Sequence, residues 1–379
     1  VDELLHRLGG NDLKTQLLPV GQEGAIAASL AKRFGTAGGV IAALNKSIKE
    51  HLECAAKVKP LGANSPLAER HGTRYPIAQG PMTRVSDRAA FADAVSNAGG
   101  LPFLALALSR GPQLRELLQH TKELLGDRPW GVGILGFVPP SLREEQLAVL
   151  REIPPPFCLI AGGRPSQSRE LESAGTHSYL HAPSPGLLEL FLKDGARNFI
   201  FEGRECGGHV GPRSSFALWD AQIEQLMNFE KPEELHILFA GGIHDAQSAA
   251  MVSAMSAPLA AKGAKIGVLM GTAYLFTEEA VATGAVKPAF QDVAVSCDET
   301  VLLETAPGHA TRCVETDYVR AFKEEKQKLE NSGMSPQELW AALEQFNLGR
   351  LRVAAKGLRR DGTQLVEVND QDQRAQGMY

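Results

Sequence analysis

The chain has 379 residues, 44% hydrophobic and 22% charged, an ordinary composition for a globular protein. Its formal net charge of −5 supplies no positive field to hold nucleic acid or an anionic membrane. No apolar run approaches the roughly 20 residues needed to span a bilayer, and the opening VDELLHRLGG has neither the basic nor the apolar part of a signal peptide.

Cysteines stand at 54, 158, 206, 297 and 313, an odd number at wide spacing with no C-x-x-C. That pattern argues against a disulfide framework or a zinc site and for a reducing compartment, so a cytoplasmic location without a bound metal is expected. The chain starts with Val rather than Met, which fits either a trimmed chain or a domain cut from a longer polypeptide.

Residues 1–70 show no strand–helix alternation. They hold helical patterns at 24–34 and 38–57, broken at Gly35 to Gly39, and are expected to form a helical lead-in. From residue 71 the pattern changes. Short apolar runs of the kind buried on both faces of a parallel sheet fall at Tyr75–Gln79, Leu101–Leu106, Gly131–Leu135, Phe157–Ala161, His177–His181, Asn198–Glu202, Ile237–Ala240 and Lys265–Met270. A helical pattern follows each one, at 87–98, 111–125, 141–152, 166–173, 184–194, 215–228, 245–256 and 272–282. Such alternation predicts an α/β chain folded as a closed (β/α)8 TIM barrel, with a doubly wound open sheet as the alternative. Beyond 283, charged helical patterns at 315–331 and 335–346 predict a C-terminal helical segment. Ser335, Pro336 and Glu338 read as the N-cap, N1 and N3 positions of the second of these helices. The tail from 360 is polar and is expected to fray or be disordered. The expected domains are 1–70, 71–315 and 316–379.

In such a barrel the site lies at the C-terminal ends of the strands. The seventh strand ends in Ala240-Gly241-Gly242-Ile243, with a helix starting at Asp245, and the eighth in Met270-Gly271-Thr272-Ala273. Glycines allow close backbone approach, and helix N-terminal amides bind anions. Together these loops predict a phosphate site, with ordinary left-handed turns as the alternative. At the first strand Ala78-Gln79-Gly80-Pro81-Met82 makes an abrupt turn at the barrel mouth. In the third, Gly131 and Gly133 leave room either for a flat ring or for close packing of neighbouring elements. After the sixth strand, Glu202-Gly203-Arg204-Glu205-Cys206-Gly207-Gly208-His209-Val210-Gly211 is too rich in glycine and polar groups for a core segment. This loop is expected to hold His209 over the mouth as a general acid or base. Cys206 has no oxyanion loop or third partner to make it a nucleophile, and Arg204 and Glu205 are expected in structural ion pairs.

Five segments taken together, IAQGPM, SNAGGL, GRECGGHVG, FAGGI and VLMGTAYL, resemble the family of nitronate monooxygenases and flavin-dependent enoyl-acyl carrier protein reductases over about residues 71–315. The resemblance implies FMN at the barrel mouth. Its phosphate would rest on Gly241, Gly242, Gly271 and Thr272, and its ring against Ala78, Gln79, Gly80, Pro81 and Met82. Gly133, Gly162, Glu202, Gly207, Gly208, Ala240 and Met270 complete the implied cofactor set. His209 matches the active-site histidine of the family's GGH motif. Where many relatives have Gly-Val-Asn in the third strand, this chain has Gly131-Val132-Gly133, which removes one amide contact near flavin or substrate. Pro307-Gly308-His309-Ala310-Thr311-Arg312 looks like the Gly-His-x-x-Arg stretch of the enoyl reductases, which implies a substrate or nicotinamide role for His309 and Arg312; a packing turn with an exposed arginine is the alternative. The long tail and GTAYLFTEEAVATGAVKPAFQ are similar to flavoenzyme domains of large polyketide or polyunsaturated fatty acid synthases, and the helical lead-in and the non-Met start fit a module of such a synthase.

The expected activity is therefore reduction of an enoyl thioester with NAD(P)H, by a stand-alone enzyme or a synthase domain. Expected partners are an acyl carrier protein and neighbouring synthase domains, and a homodimer is left open. Oxidation of alkyl nitronates with O2 is the first alternative, and a non-catalytic flavin- or phosphate-binding scaffold the second.

Overall fold

The computed structural model describes residues 2–12, 14–21, 24, 27–107 and 109–379. Residues 25 and 26 of the helix expected at 24–34 lie outside that set. The chain divides into two compact units, Val1–Glu53 and Cys54–Tyr379.

In the first unit, helix α1 (Asp2–Arg7) leads to a bridge between Leu8 and Leu17, then to α2 (Ala27–Phe34) and α3, which runs Ala37–Val58 and so continues past the unit's end. Val40, Ile41, Leu44, Ile48 and Leu52 of α3 are exposed, while Lys46–Glu50 and Lys49–Glu53 pair at one-turn spacing. No helix among the described residues is long and apolar enough to cross a membrane.

The second unit opens with α4 (Pro66–His71) and then alternates: β1 (Ile77–Gln79), α5 (Ala89–Asn97), β2 (Leu101–Ala105), α6 (Gly111–Leu125), β3 (Gly131–Leu135), α7 (Pro140–Glu152), β4 (Phe157–Ala161), α8 (Pro165–Ser173), β5 (His177–His181), α9 (Pro185–Lys193) and β6 (Asn198–Glu202). A short strand β7 (Gly208–Val210) follows, then α10 (Ser215–Leu226), β8 (His236–Ala240), α11 (Ala246–Ala261) and β9 (Lys265–Met270). Strands β1, β2, β3, β4, β5, β6, β8 and β9 form a closed parallel barrel, sealed where Ala78 of β1 pairs with Leu269 of β9. This is the (β/α)8 architecture expected from the alternation of runs.

Each strand buries both faces, which is why the runs read as continuously apolar. Leu101, Phe103, Leu159, Tyr179, Ile200 and Leu238 point into the barrel and pack together with Leu67 of α4. Their neighbours Leu104, Val132, Ile160, Phe199, Phe201 and Phe239 point outward and form the larger core beneath the helices. Adjacent positions thus serve different cores, as a two-residue period requires.

After β9 the chain departs from simple alternation. A 3-10 turn at Thr272–Phe276 replaces the first part of the expected helix, followed by α12 (Glu278–Ala282) and α13 (Pro288–Val295). Next come β10 (Thr300–Ala306) and β11 (His309–Val314), an antiparallel hairpin outside the eight strands that the apolar runs predict. Helices α14 (Asp317–Asn331) and α15 (Pro336–Asn347) fall where their charge patterns place them, and the Ser335–Glu338 capping box forms reciprocally at 2.9 and 3.3 Å. The tail is a correction. After α16 (Arg350–Lys356), the segment from 360 does not fray but completes a hairpin of β12 (Leu358–Asp361) and β13 (Gln364–Glu367) and forms α17 (Asp370–Gln376). It is held because Tyr379 packs on Phe290, its carbonyl accepts from the Val314 amide at 3.0 Å, and Lys356 bonds Asp87 at 2.6 Å. Polarity marked the tail's outer surface and hid these few inward anchors.

Candidate active site

The loop after β6 is the structural centre of the barrel mouth. It leaves the barrel at Glu202 and returns along β7, whose three residues join a second sheet in the order β10–β11–β7. Within that sheet Ala310 opposes Val210, Thr311 opposes His209, and Arg312 opposes Gly208. Cys206, Val210 and Ala310 bury together beneath it, with Leu302 packed against them. His209 is therefore carried on a paired strand rather than on a free loop, and its side chain remains exposed.

Three interactions brace this loop. The Arg312 guanidinium donates to the Arg204 carbonyl at 3.0 and 3.3 Å. The Glu205 carboxylate accepts from the Ser215 amide at 2.7 Å and its hydroxyl at 2.5 Å, capping the N-terminus of α10. Cys206 Sγ lies 3.3 Å from the His209 carbonyl. Glu205 thus serves a helix end rather than the expected ion pair, because a carboxylate is stabilised by unpaired N-terminal amides. Burial, and then the charge of Glu202, push the Cys206 thiol well above its ordinary range, which agrees with its exclusion as a nucleophile.

A cavity of about 710 Å³ opens beside His209. Its inner wall carries Gly162, His181, Glu202 and His209. His181 Nδ1 lies 3.4 Å from Glu202 Oε2, and His181 Nε2 is buried with no partner among the described residues. Sequence reasoning missed His181. The available signal was its place as the last residue of the fifth apolar run, at the end of a strand where site residues stand.

The remaining expected cofactor residues form a second group, outside this cavity's lining. Gln79 is fully buried; its amide nitrogen donates to the Gly80 and Phe103 carbonyls, while Oε1 has no partner among the described residues. Gly241 and Gly242 both adopt left-handed backbone, with φ of 104° and 77°. A Cβ on Gly241 would lie 2.6 Å from Ser215 Oγ, and one on Gly242 2.9 Å from Glu205 Cβ. A Cβ on Gly207 would lie 3.0 Å from Thr272 Oγ1, so the β6 loop lies against the loop after β9. Among the described residues, nothing accepts from the amides of Gly241, Gly242, Gly271 or Thr272. These four donors, following Ala240 and Met270 on adjacent strands, can hold an anion. The first turn of α11 contributes less than expected, because Asp245 already accepts from the Ser248 amide at 2.8 Å.

Two regions for which the sequence allowed alternatives show definite contacts. The room beside β3 is filled: a Cβ on Gly131 would lie 2.5 Å from the Phe103 ring, and one on Gly133 would lie 2.3 Å from Pro81. These glycines allow the Phe103 ring and Pro81 to pack closely against the strand. His309 and Arg312 do share the strand paired to His209, but they do different things. His309 packs its ring against Trp340, tilted by 35° at 5.2 Å between centroids, and Arg312 bonds the Arg204 carbonyl and Thr300.

The sequence model described as nitronate monooxygenase matches residues 64–153 and 138–347. A (3aS,4S,5R,7aS)-5-hydroxy-7a-methyl-1-oxo-octahydro-1H-indene-4-carboxyl-CoA dehydrogenase of Rhodococcus jostii is 28% identical over 68% of this chain and 67% of that protein. A nitronate monooxygenase of Pseudomonas aeruginosa is 25% identical over 64% of this chain and 77% of its own. Among solved structures, FabK from Thermotoga maritima superposes with a TM-score of 0.64 at 26% identity, over 82% of this chain and 86% of that one. With the barrel and the histidine-bearing loop, these matches show that the chain is an oxidoreductase and belongs to the nitronate monooxygenase family.

Proposed function

We propose that the protein is an FMN-dependent enoyl-thioester reductase that takes its electrons from NAD(P)H. The observation that carries this reading is the pairing of two features at one barrel mouth. One is a set of unpaired amides at Gly241, Gly242, Gly271 and Thr272, and the other is a cavity walled by His181, Glu202 and His209.

The residues present fit the cofactor. The four amides match a phosphate, and the orphaned Gln79 Oε1 offers a buried acceptor to a ring N–H, a pairing that would remove its desolvation cost. When bound, FMN supplies hydride relay between the nicotinamide and the β-carbon of the substrate. The chain's own part is to hold the thioester in the cavity and to place a proton source at the α-carbon or carbonyl side. His209 is the exposed group that can donate there, and Glu202 can hold His181 in one tautomer beside it. The thioester preference draws support from the relative in R. jostii, named as acting on a carboxyl-CoA. A carrier protein or a neighbouring synthase domain as the donor of that thioester belongs to the same proposal.

Nitronate oxidation is the second reading, favoured by the family match and by the relative in P. aeruginosa. An anaerobic absorbance titration separates the two. Bleaching of a flavin band by NAD(P)H and its recovery on adding a crotonyl thioester is the expected result. A flavin that ignores NAD(P)H but is reduced by a nitronate would transfer the assignment to the second reading. Protein that takes up no flavin would overturn both.

A further inference from the structure

The cavity does not end at its titratable wall. It continues between α8 and α9, where Pro183, Leu187 and Phe191 are apolar and Arg164 and Arg169 are cationic. Neither arginine forms an ion pair among the described residues, whereas Arg143 and Arg151 both pair with Glu170. Arg169 is nevertheless positioned, since its Nη1 donates to the Asp194 carbonyl at 2.9 Å. Arg164 immediately precedes α8, beside the Gly162–Gly163 turn that lines the same cavity. The carboxylates on the lining are Glu202, which faces His181, and Asp194, which makes no ion pair with Arg169. Two unpaired guanidiniums therefore share a cavity with an apolar wall and a reactive inner end.

That sequence of surfaces matches one kind of ligand: an elongated chain with an acyl thioester at one end, a mixed apolar and amide body, and an anion at the other. Guanidinium forks bind phosphate oxygens in pairs. We propose that Arg164 and Arg169 bind the phosphate of a 4′-phosphopantetheine arm, whose thioester reaches His181 and His209 along the channel between α8 and α9. This rests on the enoyl-thioester reading above. Coenzyme A and an acyl carrier protein present the same arm, so the chemistry at the arginines is shared.

The test compares dissociation constants, by calorimetry on the full chain without NAD(P)H, for crotonyl-pantetheine and crotonyl-4′-phosphopantetheine. The phosphate is expected to tighten binding at least tenfold. That gain should fall below twofold in an Arg164→Gln/Arg169→Gln variant and largely survive in Arg164→Lys. No gain in the unmodified protein, or a gain that persists in the double variant, would overturn the site. Crotonyl-N-acetylcysteamine, which has no phosphate, separates this from the underlying reading. If it reoxidises the reduced flavin while the phosphate contributes nothing, the arginine site fails and the reductase reading stands. If neither it nor crotonyl-CoA does so, the thioester reading fails and takes the occupant with it. Further tightening with crotonyl-CoA, or with a crotonyl-carrier protein, supports the site and identifies which source supplies the arm.

Discussion

His209 and Thr311 stand opposite each other in an antiparallel pair, joining the loop after the sixth barrel strand to a hairpin about a hundred residues later in the chain. The histidine's position therefore depends on the hairpin. Arg312, the next residue, fastens the same loop through the Arg204 carbonyl. Arg312→Ala is expected to lower kcat/KM about tenfold, the order of one charge-assisted hydrogen bond, while Arg312→Lys recovers part of it. His209→Ala should cost a hundredfold or more, in the range for loss of a general acid, with flavin content unchanged. Equal rates for Arg312→Ala and the unmodified enzyme would show that the hairpin does not position the loop.

Gly241 is expected to be irreplaceable for two separate reasons. Its φ is 104°, and an added Cβ would meet Ser215 Oγ and the Gly203 backbone. Gly175 has φ of 88° with open space around it, so Gly175→Ala isolates the backbone strain, on the order of 1–2 kcal/mol. Gly241→Ala should lose at least as much stability and most of the bound flavin. Thermal melting and the ratio of flavin to protein absorbance report the two effects separately.

At the opposite end of the barrel, His71 donates to or accepts from the Tyr179 hydroxyl at 2.7 Å, with His177 and His236 close by. Burial, reinforced by the neighbouring His236, Arg70 and His177, lowers the His71 pKa to about 3. Burial and Lys265 lower that of His236 to about 4. Both are neutral in the fold, so the unfolded chain binds protons first as pH falls. Their stabilising effect is present in full above about pH 6.5 and is lost towards pH 3 to 4, at up to about 1.4 kcal/mol per pH unit per group. Urea midpoints measured between pH 7 and 5 should fall, and His71→Gln should flatten that fall. An unchanged slope in the variant would exclude His71 as a source.

Lys356 ties the C-terminal region to the barrel by bonding Asp87 at 2.6 Å and the Ala285 carbonyl at 2.8 Å, with both charged side chains largely buried. Lys356→Met is expected to destabilise the protein by about 2 kcal/mol, because Asp87 would be left partly buried without its partner. Limited proteolysis should then cut first within residues 350–379. A variant as resistant as the parent would mean that packing around Tyr379 alone secures the tail.

The sequence by itself determined the barrel. Strands buried on both faces must be apolar at every position, and the helices between them must be amphipathic, so runs such as Phe157–Ala161 and Asn198–Glu202 were legible to the residue. It also marked the glycine-rich loops and His209, because such composition is incompatible with a core. What only the tertiary structure decided are the relationships between distant segments. That β11 would pair with β7, that Glu205 would cap α10, and that His181 would meet Glu202 depend on how strand ends converge at the barrel mouth. The filled space beside Gly131 and Gly133, and the anchored tail, have the same origin. A missing side chain reads in sequence as either a slot or a tight contact, and a polar segment as either solvated or held by a few inward residues. Only the neighbours in space, Phe103 and Pro81 in one case and Asp87 and Phe290 in the other, choose between them.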